Sequence, residues 1–174
     1  MPCLLLLRHG KSAWPDGIDD LERPLTKRGR EASRRMGRYL ADEQLVPDLA
    51  LVSPARRTQE TWTLVKDPLG NLPMRSEPRI YEAPPDRLLT VVKGVEAEVS
   101  MLLMVGHNPG MQELARLLLG HDDRYAHGAA IAKYPTAGLA VIDVPVRAWH
   151  ELSPRSGRLV RFVTPKILGL GEDE

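Results

Sequence analysis

Three uninterrupted apolar runs divide the chain into alternating short and long segments. They cover residues 4–7, 49–52 and 101–105. Continuous apolar strings of this length are typical of strands in a parallel sheet that is buried on both faces. Gly10 and Pro15 follow the first run too closely to leave room for a helix. The sequence therefore predicts three buried strands.

The segments between these runs show the apolar spacing of helices. In residues 26–44, Ala32, Met36 and Leu40 recur on one face and arginines occupy the other. A second helix is predicted from Ser53–Pro54 to about residue 66, a third from residues 84–86, and a fourth from Asn108–Pro109. Two of these predicted helices begin with a capping residue followed by a proline at the first helical position, namely Ser53–Pro54 and Asn108–Pro109.

The C-terminal part follows a different pattern. Residues 138–144 and 159–164 are predicted to be strands joined by a long turn around 153–157, with no helix between them, and to form an antiparallel pair. Residues 74–80 form a weaker strand or extended segment. Strands alternating with helices imply a three-layer α/β/α sandwich, mostly parallel with an antiparallel margin. No repeat or long linker divides the chain, so residues 1–174 are expected to form one domain.

Composition narrows the functional classes. Lys and Arg total 24 against 23 for Asp and Glu, which gives a net charge of +1 and no support for binding nucleic acid or a membrane through bulk charge. Cys3 is the only cysteine, so no internal disulfide can form and a reducing compartment is expected. No apolar stretch approaches the roughly 18 residues of a membrane span. These features predict a cytoplasmic protein.

Cationic or donor-bearing residues follow each of the three strong strands. Arg8-His9 follows the first, residues 53–57 with two arginines follow the second, and His107 follows the third. Ligands of open α/β sheets bind at the carboxyl ends of the strands, and helix N-termini there favour anions. Taken singly, each segment is more readily explained as a turn or a cap. Together they predict a phosphate-sized site.

The same segments carry a resemblance to a known family. Residues 7–12, Leu-Arg-His-Gly-Lys-Ser, resemble the RHG motif of the histidine phosphatase superfamily, which also contains the cofactor-dependent phosphoglycerate mutases. Residues 53–61 resemble its second motif and residues 105–107 its third. Residues 23–26 with Gly29 match the segment that leads into the first helix. The short chain and the Lys-Ser-Ala-Trp sequence look most like the SixA phosphohistidine phosphatase branch, which implies a phosphoglycerate mutase-like fold.

Three departures from the family pattern argue against a mutase. Glu60 separates Gln59 from Thr61, whereas the family more often places the glutamine directly before the threonine. Pro15 stands where mutase-like members often carry an asparagine. The tryptophan-arginine and asparagine-glutamate sequences of the mutases are also missing, and the phosphatase motifs are intact.

The resemblance implies a role for each matching residue. His9 would be the nucleophile that becomes phosphohistidine, which requires one unprotonated ring nitrogen and an acceptor, such as a backbone carbonyl, for the other. Arg8 and Arg57 would bind the phosphate, and His107, protonated when phosphate is bound, would add a donor. Glu82 is the candidate general acid for an ester substrate, and is equally explained as a solvated loop carboxylate.

Several nearby residues stay open. Asp16, Asp19 and Asp20 are more distant candidates for the proton donor. Arg56 is expected to be a solvated helix residue. The remaining residues near the site have no assigned role: Lys11, Ser12 and Arg23.

No cofactor or metal is expected, since His121, His127 and His150 lack metal-ligand spacing. The expected partner is a phosphorylated protein or a small phosphorylated metabolite. The leading hypothesis is a phosphatase for protein phosphohistidine. The alternatives are a phosphatase for small phosphomonoesters and a non-catalytic module that binds phosphate or phosphoproteins. A nucleotide-binding or redox protein has no supporting motif.

Overall fold

The computed structural model describes residues 1–121 and 131–171. Six strands form one sheet: β1 (Cys3–Arg8), β2 (Leu49–Val52), β3 (Met74–Ser76), β4 (Met101–Gly106), β5 (Leu139–Asp143) and β6 (Arg158–Val163). Four helices accompany them: α1 (Lys27–Asp42), α2 (Arg56–Lys66), α3 (Pro85–Lys93) and α4 (Gly110–Leu118). Four single turns of 3-10 helix also occur: Asp20–Glu22, Asp67–Leu69, Pro78–Ile80 and Trp149–Glu151.

The strands lie in the order β3-β2-β4-β1-β5-β6. The first four are parallel, β5 is antiparallel to β1, and β6 is antiparallel to β5. This confirms the predicted α/β sheet with an antiparallel margin. The three strong strands are central neighbours, with Arg8 opposite Gly106 and Val52 opposite Val105. Their carboxyl ends therefore lie side by side.

Both faces of the sheet are covered, because side chains of a strand alternate between faces. Along β1, Leu4 and Leu6 belong to the core under α3 and α4, and Leu5 and Leu7 belong to the core under α1 and α2. All four leucines are fully buried. This is why the strand is apolar without interruption, and it confirms the three layers.

Helix α1 begins as predicted. Thr26 is its N-cap, and its Oγ1 accepts a hydrogen bond from Gly29 N at 3.0 Å. The helix ends at Asp42 rather than near residue 44, because Gln44 has a φ of 57°, which a helix cannot continue through.

The predicted starts of two other helices are wrong, by two residues for α2 and by one for α4. Helix α2 begins at Arg56 and α4 at Gly110, so neither proline occupies the first helical position. The Ser53 hydroxyl forms a hydrogen bond with the ring of His107 and is not the N-cap of α2. Asn108 does accept a hydrogen bond from Gln112 N, at 3.3 Å.

Two smaller expectations also change, and Gly94 is the C-cap of α3. The weak strand of residues 74–80 is shortened to β3 and continues as a 3-10 turn. One further 3-10 turn, Trp149–Glu151, interrupts the connection between β5 and β6, where the Trp149 indole donates to Val99 O at 2.8 Å. None of the helices within 1–121 and 131–171 is long and apolar enough to cross a bilayer.

Candidate active site

The residues predicted from three separate strand ends line one cavity. Arg8, His9, Arg57 and His107 surround a space of about 380 Å³. The ring centroids of the two histidines are 5.3 Å apart. The sheet order explains this meeting, since β2, β4 and β1 are neighbours and deliver their following residues to the same edge.

His9 is held in one tautomer. Its Nδ1 lies 2.7 Å from Gly10 O, and because a carbonyl oxygen only accepts, Nδ1 carries the proton. Nε2 therefore keeps its lone pair. Burial is the largest cause that lowers the pKa of His9 to about 3; His107, Arg8 and Arg57 act in the same direction, and the hydrogen bond with Gly10 opposes them. The ring is neutral at physiological pH, with the carbonyl partner that a nucleophilic histidine requires.

Gly10 is required by a close approach. A Cβ at this position would lie 2.7 Å from Gly29 O and 2.9 Å from Ser33 Oγ, both on α1. The tight-turn explanation that a His-Gly sequence invites is not needed, because Gly10 is not among the residues with positive φ. The amide of Gly10 donates to Thr61 Oγ1 at 3.0 Å, and that hydroxyl donates to Arg57 O at 2.7 Å. Thr61 of the second motif thus fixes the backbone beside both His9 and Arg57.

Arg57 is buried and Arg8 is partly buried, and both have a guanidinium atom without a hydrogen-bond partner. Arg8 Nη1 donates to Tyr134 O at 2.9 Å, and Arg57 donates to Asp20 through Nη1 and Nη2. Throughout the described part of the chain, only three buried side-chain polar atoms lack a hydrogen-bond partner: Arg8 Nε, Arg57 Nε and His107 Nδ1. Such atoms are few in folded proteins because each costs free energy. Their concentration in one cavity indicates a site built for an anion.

His107 is also neutral when the site holds no anion. Its Nε2 lies 2.7 Å from Ser53 Oγ, and its ring meets the Tyr81 ring edge-on at 5.5 Å. Burial lowers the pKa of His107 to about 4, with a further lowering by Arg57 that Asp20 partly opposes. A phosphate dianion in the cavity would raise this pKa, as an opposite charge does for any cationic group.

Sequence analysis underestimated Asp20. Its carboxylate accepts from Arg57 Nη2 at 3.0 Å, from Arg23 Nη1 at 3.0 Å and from the Tyr81 hydroxyl. The Tyr81 hydroxyl and the two guanidinium groups hold the pKa of Asp20 well below its usual range, so its carboxylate is charged and acts as a hydrogen-bond acceptor. The Asp20–Arg23 pair was detectable as neighbours three residues apart. The contact with Arg57, 37 residues away, left no local signal.

Arg23 is a further buried cation at the site. Besides Asp20, it donates from Nη2 to Ser12 Oγ at 2.6 Å and from Nε to Ala13 O at 3.1 Å. Its guanidinium lies over the Trp14 ring. Arg23 therefore ties the loop after β1 to the site.

The other candidates fall at or beyond the rim. Glu82 is exposed and lines an adjoining cavity of about 470 Å³ together with Arg57 and His107. Lys11 and Ser12 line the first cavity. Arg56 is half exposed and pairs with Glu60 at 3.6 Å, as expected of a solvated helix residue.

The remaining histidines are placed as follows. His121 and His150 are exposed, and His127 lies outside the described residues. Among the residues that the structure describes, no group of three or more His, Cys, Asp or Glu is arranged to hold a metal ion.

Comparison with known proteins identifies the family. Residues 4–88 match the model of the histidine phosphatase superfamily (branch 1). An uncharacterized protein of Mycobacterium tuberculosis is 35% identical over 163 residues, which are 92% of this chain and 100% of that protein. The phosphohistidine phosphatase SixA of Escherichia coli is 38% identical over 74 residues, 42% of this chain and 45% of that protein.

Solved structures agree. A crystal structure described as a phosphohistidine phosphatase SixA of Agrobacterium tumefaciens superimposes with a TM-score of 0.81 at 29% identity, covering 95% of this chain and 99% of that one. The phosphoglycerate mutase-like fold implied by the motifs is thereby confirmed. This chain is a phosphatase that belongs to the histidine phosphatase superfamily, within its SixA-like branch.

Proposed function

We propose that this phosphatase works through a covalent phosphohistidine on His9. The observation that carries the proposal is the hydrogen bond from His9 Nδ1 to Gly10 O, which leaves Nε2 as a free lone pair in a cavity lined by Arg8, Arg57 and His107. A neutral imidazole next to cationic donors is what attack on a phosphoryl group requires.

The reaction then has two steps. Nε2 of His9 attacks phosphorus, the P–N bond forms, and the bond to the leaving group breaks. Arg8 and Arg57 hold the phosphoryl oxygens and stabilise the charge that spreads over them in the transition state. Water next attacks the phosphohistidine, which releases inorganic phosphate and restores neutral His9.

The leaving group needs a proton, and Glu82 is the proposed donor for an ester. Its place in the cavity beside Arg57 and His107 supports this role. In a phosphohistidine substrate the leaving group is imidazole. Its departure depends less on a general acid when the imidazole is protonated. The contribution of Glu82 therefore differs between the two substrate classes.

We further propose that the substrate is protein phosphohistidine. The Escherichia coli relative is named a phosphohistidine phosphatase, and the Agrobacterium tumefaciens structure is described as a putative one. The segment between α2 and α3 contains only β3 and two 3-10 turns, so it forms no cap domain over the site. A free, buried Cys3 thiol fits the cytoplasmic location that such a substrate implies.

The test is a comparison of kcat/KM for a protein phosphorylated on histidine, for sugar phosphates and for nucleotides. The phosphoprotein should be preferred by at least about tenfold, a difference of about 1.4 kcal/mol in transition-state binding. His9→Ala should abolish turnover of every substrate. Glu82→Gln should slow ester hydrolysis more than phosphohistidine hydrolysis. A clear preference for a sugar phosphate would reject the substrate assignment.

A further inference from the structure

The loop between β1 and α1 exposes an unusual amount of apolar surface. Trp14 is 76% exposed, and Ile18 and Leu21 are each 42% exposed. In the rest of the described chain, large exposed apolar side chains occur singly along the sequence: Met1, Val46, Met74, Val160 and Ile167. Scattered exposed residues are normal, whereas a group within eight positions calls for an explanation. We call Trp14, Ile18 and Leu21 the loop patch.

The loop patch reaches the catalytic cavity through Trp14. Trp14 lines that cavity together with His9 and Arg57. Near the other end of the patch, the backbone and side chain of Asp20 accept both hydrogen bonds donated by Arg57. A substrate whose phosphoryl group lies in the cavity therefore extends past this loop.

Trp14 is held in place before any substrate arrives. The Arg23 guanidinium carbon lies 3.1 Å from the centre of the Trp14 ring. Arg23 is buried and fixed by hydrogen bonds to Ala13, Ser12 and Asp20. Most of the indole surface is nevertheless exposed, so a fixed aromatic side chain is presented to solvent. A preordered aromatic loses little conformational entropy on binding and is a frequent anchor of protein interfaces.

Acidic side chains lie between the apolar ones. Asp16, Asp19 and Glu22 are exposed on the same loop. Charge complementarity then favours a partner surface whose apolar centre is bordered by lysine or arginine. A small phosphorylated metabolite is anionic and too short to cover three side chains spread over the loop.

We propose that the loop patch is the docking surface for the protein that carries the phosphohistidine. The occupant is the surface around that histidine, apolar at its centre and basic at its border. This inference rests on the proposed function and specifies how the substrate is distinguished from small phosphoesters.

The test compares two substrates: a small protein phosphorylated on one histidine, and p-nitrophenyl phosphate. The measured quantity is the ratio of kcat/KM for the phosphoprotein to kcat/KM for the ester. Trp14→Ala and the double variant Ile18→Ser/Leu21→Ser should each lower this ratio by about tenfold, the effect expected of a contributing interface residue. Trp14→Phe, which keeps an aromatic face for Arg23, should recover part of the loss.

Val46→Ser is the matched control, because Val46 is 41% exposed and lines neither cavity. It should leave the ratio at the wild-type value. The double variant Asp16→Asn/Asp19→Asn should raise KM for the phosphoprotein and weaken the dependence of kcat/KM on salt.

The outcomes separate the two claims. A wild-type enzyme that does not hydrolyse the phosphoprotein refutes the proposed substrate, and the docking surface with it. A wild-type enzyme that does hydrolyse it, with an unchanged ratio in a correctly folded Ile18→Ser/Leu21→Ser variant, overturns the docking surface alone. An equal fall in Val46→Ser overturns it as well.

Discussion

At the scale of single residues, burial sets the charge state of the site. It is the largest cause of the low pKa values of His9, about 3, and of His107, about 4. The nucleophile is thereby kept unprotonated across the physiological range, while the arginines retain the charge that phosphate needs. Because burial disfavours the protonated form of both histidines, it also lowers the stability of the folded protein in acid.

The free energy of unfolding should fall as pH falls from about 7 to about 4. Both histidines have ordinary pKa values of 6.5, so the unfolded chain binds protons before the folded protein does. Each histidine should contribute a loss of roughly 2 kcal/mol by about pH 5, and the full stability is present above the ordinary value. Urea unfolding at a series of pH values measures this.

His107→Asn supplies the comparison for that titration, because it removes one of the two groups without adding a charge. Its stability should decline less steeply than that of the wild type over the same range. Parallel curves for the two proteins would show that His107 is not held neutral. The pKa of Asp20 is also lowered, but from an ordinary value of 3.8, so the stability that its carboxylate contributes is lost only below about pH 4 and does not confuse the comparison.

Asp20→Asn should separate phosphate binding from catalysis. Asp20 orients Arg57 through one hydrogen bond to its backbone carbonyl and one to its carboxylate, and the carboxylate also places a negative charge near the anion site. Removing the charge should strengthen inhibition by inorganic phosphate by a few fold, whereas the looser Arg57 should lower kcat by about tenfold. Steady-state kinetics with phosphate as inhibitor measures both. Weaker phosphate inhibition together with an unchanged kcat would contradict the role given to Asp20.

At the scale of elements, the apolar runs were sufficient to predict β1, β2 and β4. They did not give the starts of α2 and α4, because Ser53 and Asn108 belong to the rim of the site as well as to the chain leading into a helix. The hydrogen bond between Ser53 and His107 spans 54 residues and cannot be seen in a local pattern. The packing of α1 against the segment after β1 is also invisible in a local pattern, because it depends on Gly10 and Gly29, where a Cβ would meet the backbone of the other segment.

Gly10→Ala should destabilise the protein by about 1–3 kcal/mol, the usual cost of adding atoms to a filled core. The new Cβ would lie 2.7 Å from Gly29 O and push α1 from the segment that carries His9. Turnover should fall as well. Gly94→Ala is the matched control, since its Cβ would meet nothing closer than 3.5 Å. Equal unfolding midpoints in urea for the two variants would show that the close approach is not limiting.

At the scale of the whole molecule, the order of the strands creates the site. Motifs that are separated by about 45 residues or more in the sequence meet because β2, β4 and β1 are neighbours. Arg8, His9 and His107 were predictable from their places after apolar strands, whereas the choice of Arg57 over Arg56 depended on the resemblance to the second motif of the family. The contacts of Asp20 and Tyr81 were not, because they depend on how the loop after β1 folds over the strand ends.

The most direct test of the account is to trap the intermediate. Wild-type enzyme mixed with ³²P-labelled substrate and quenched within milliseconds in alkaline denaturant should carry label that is stable in base, labile in acid and located on His9 by peptide mapping. His9→Ala should carry none and should show no turnover. Absence of the adduct under conditions of rapid turnover, or full activity in His9→Ala, would contradict the central claim.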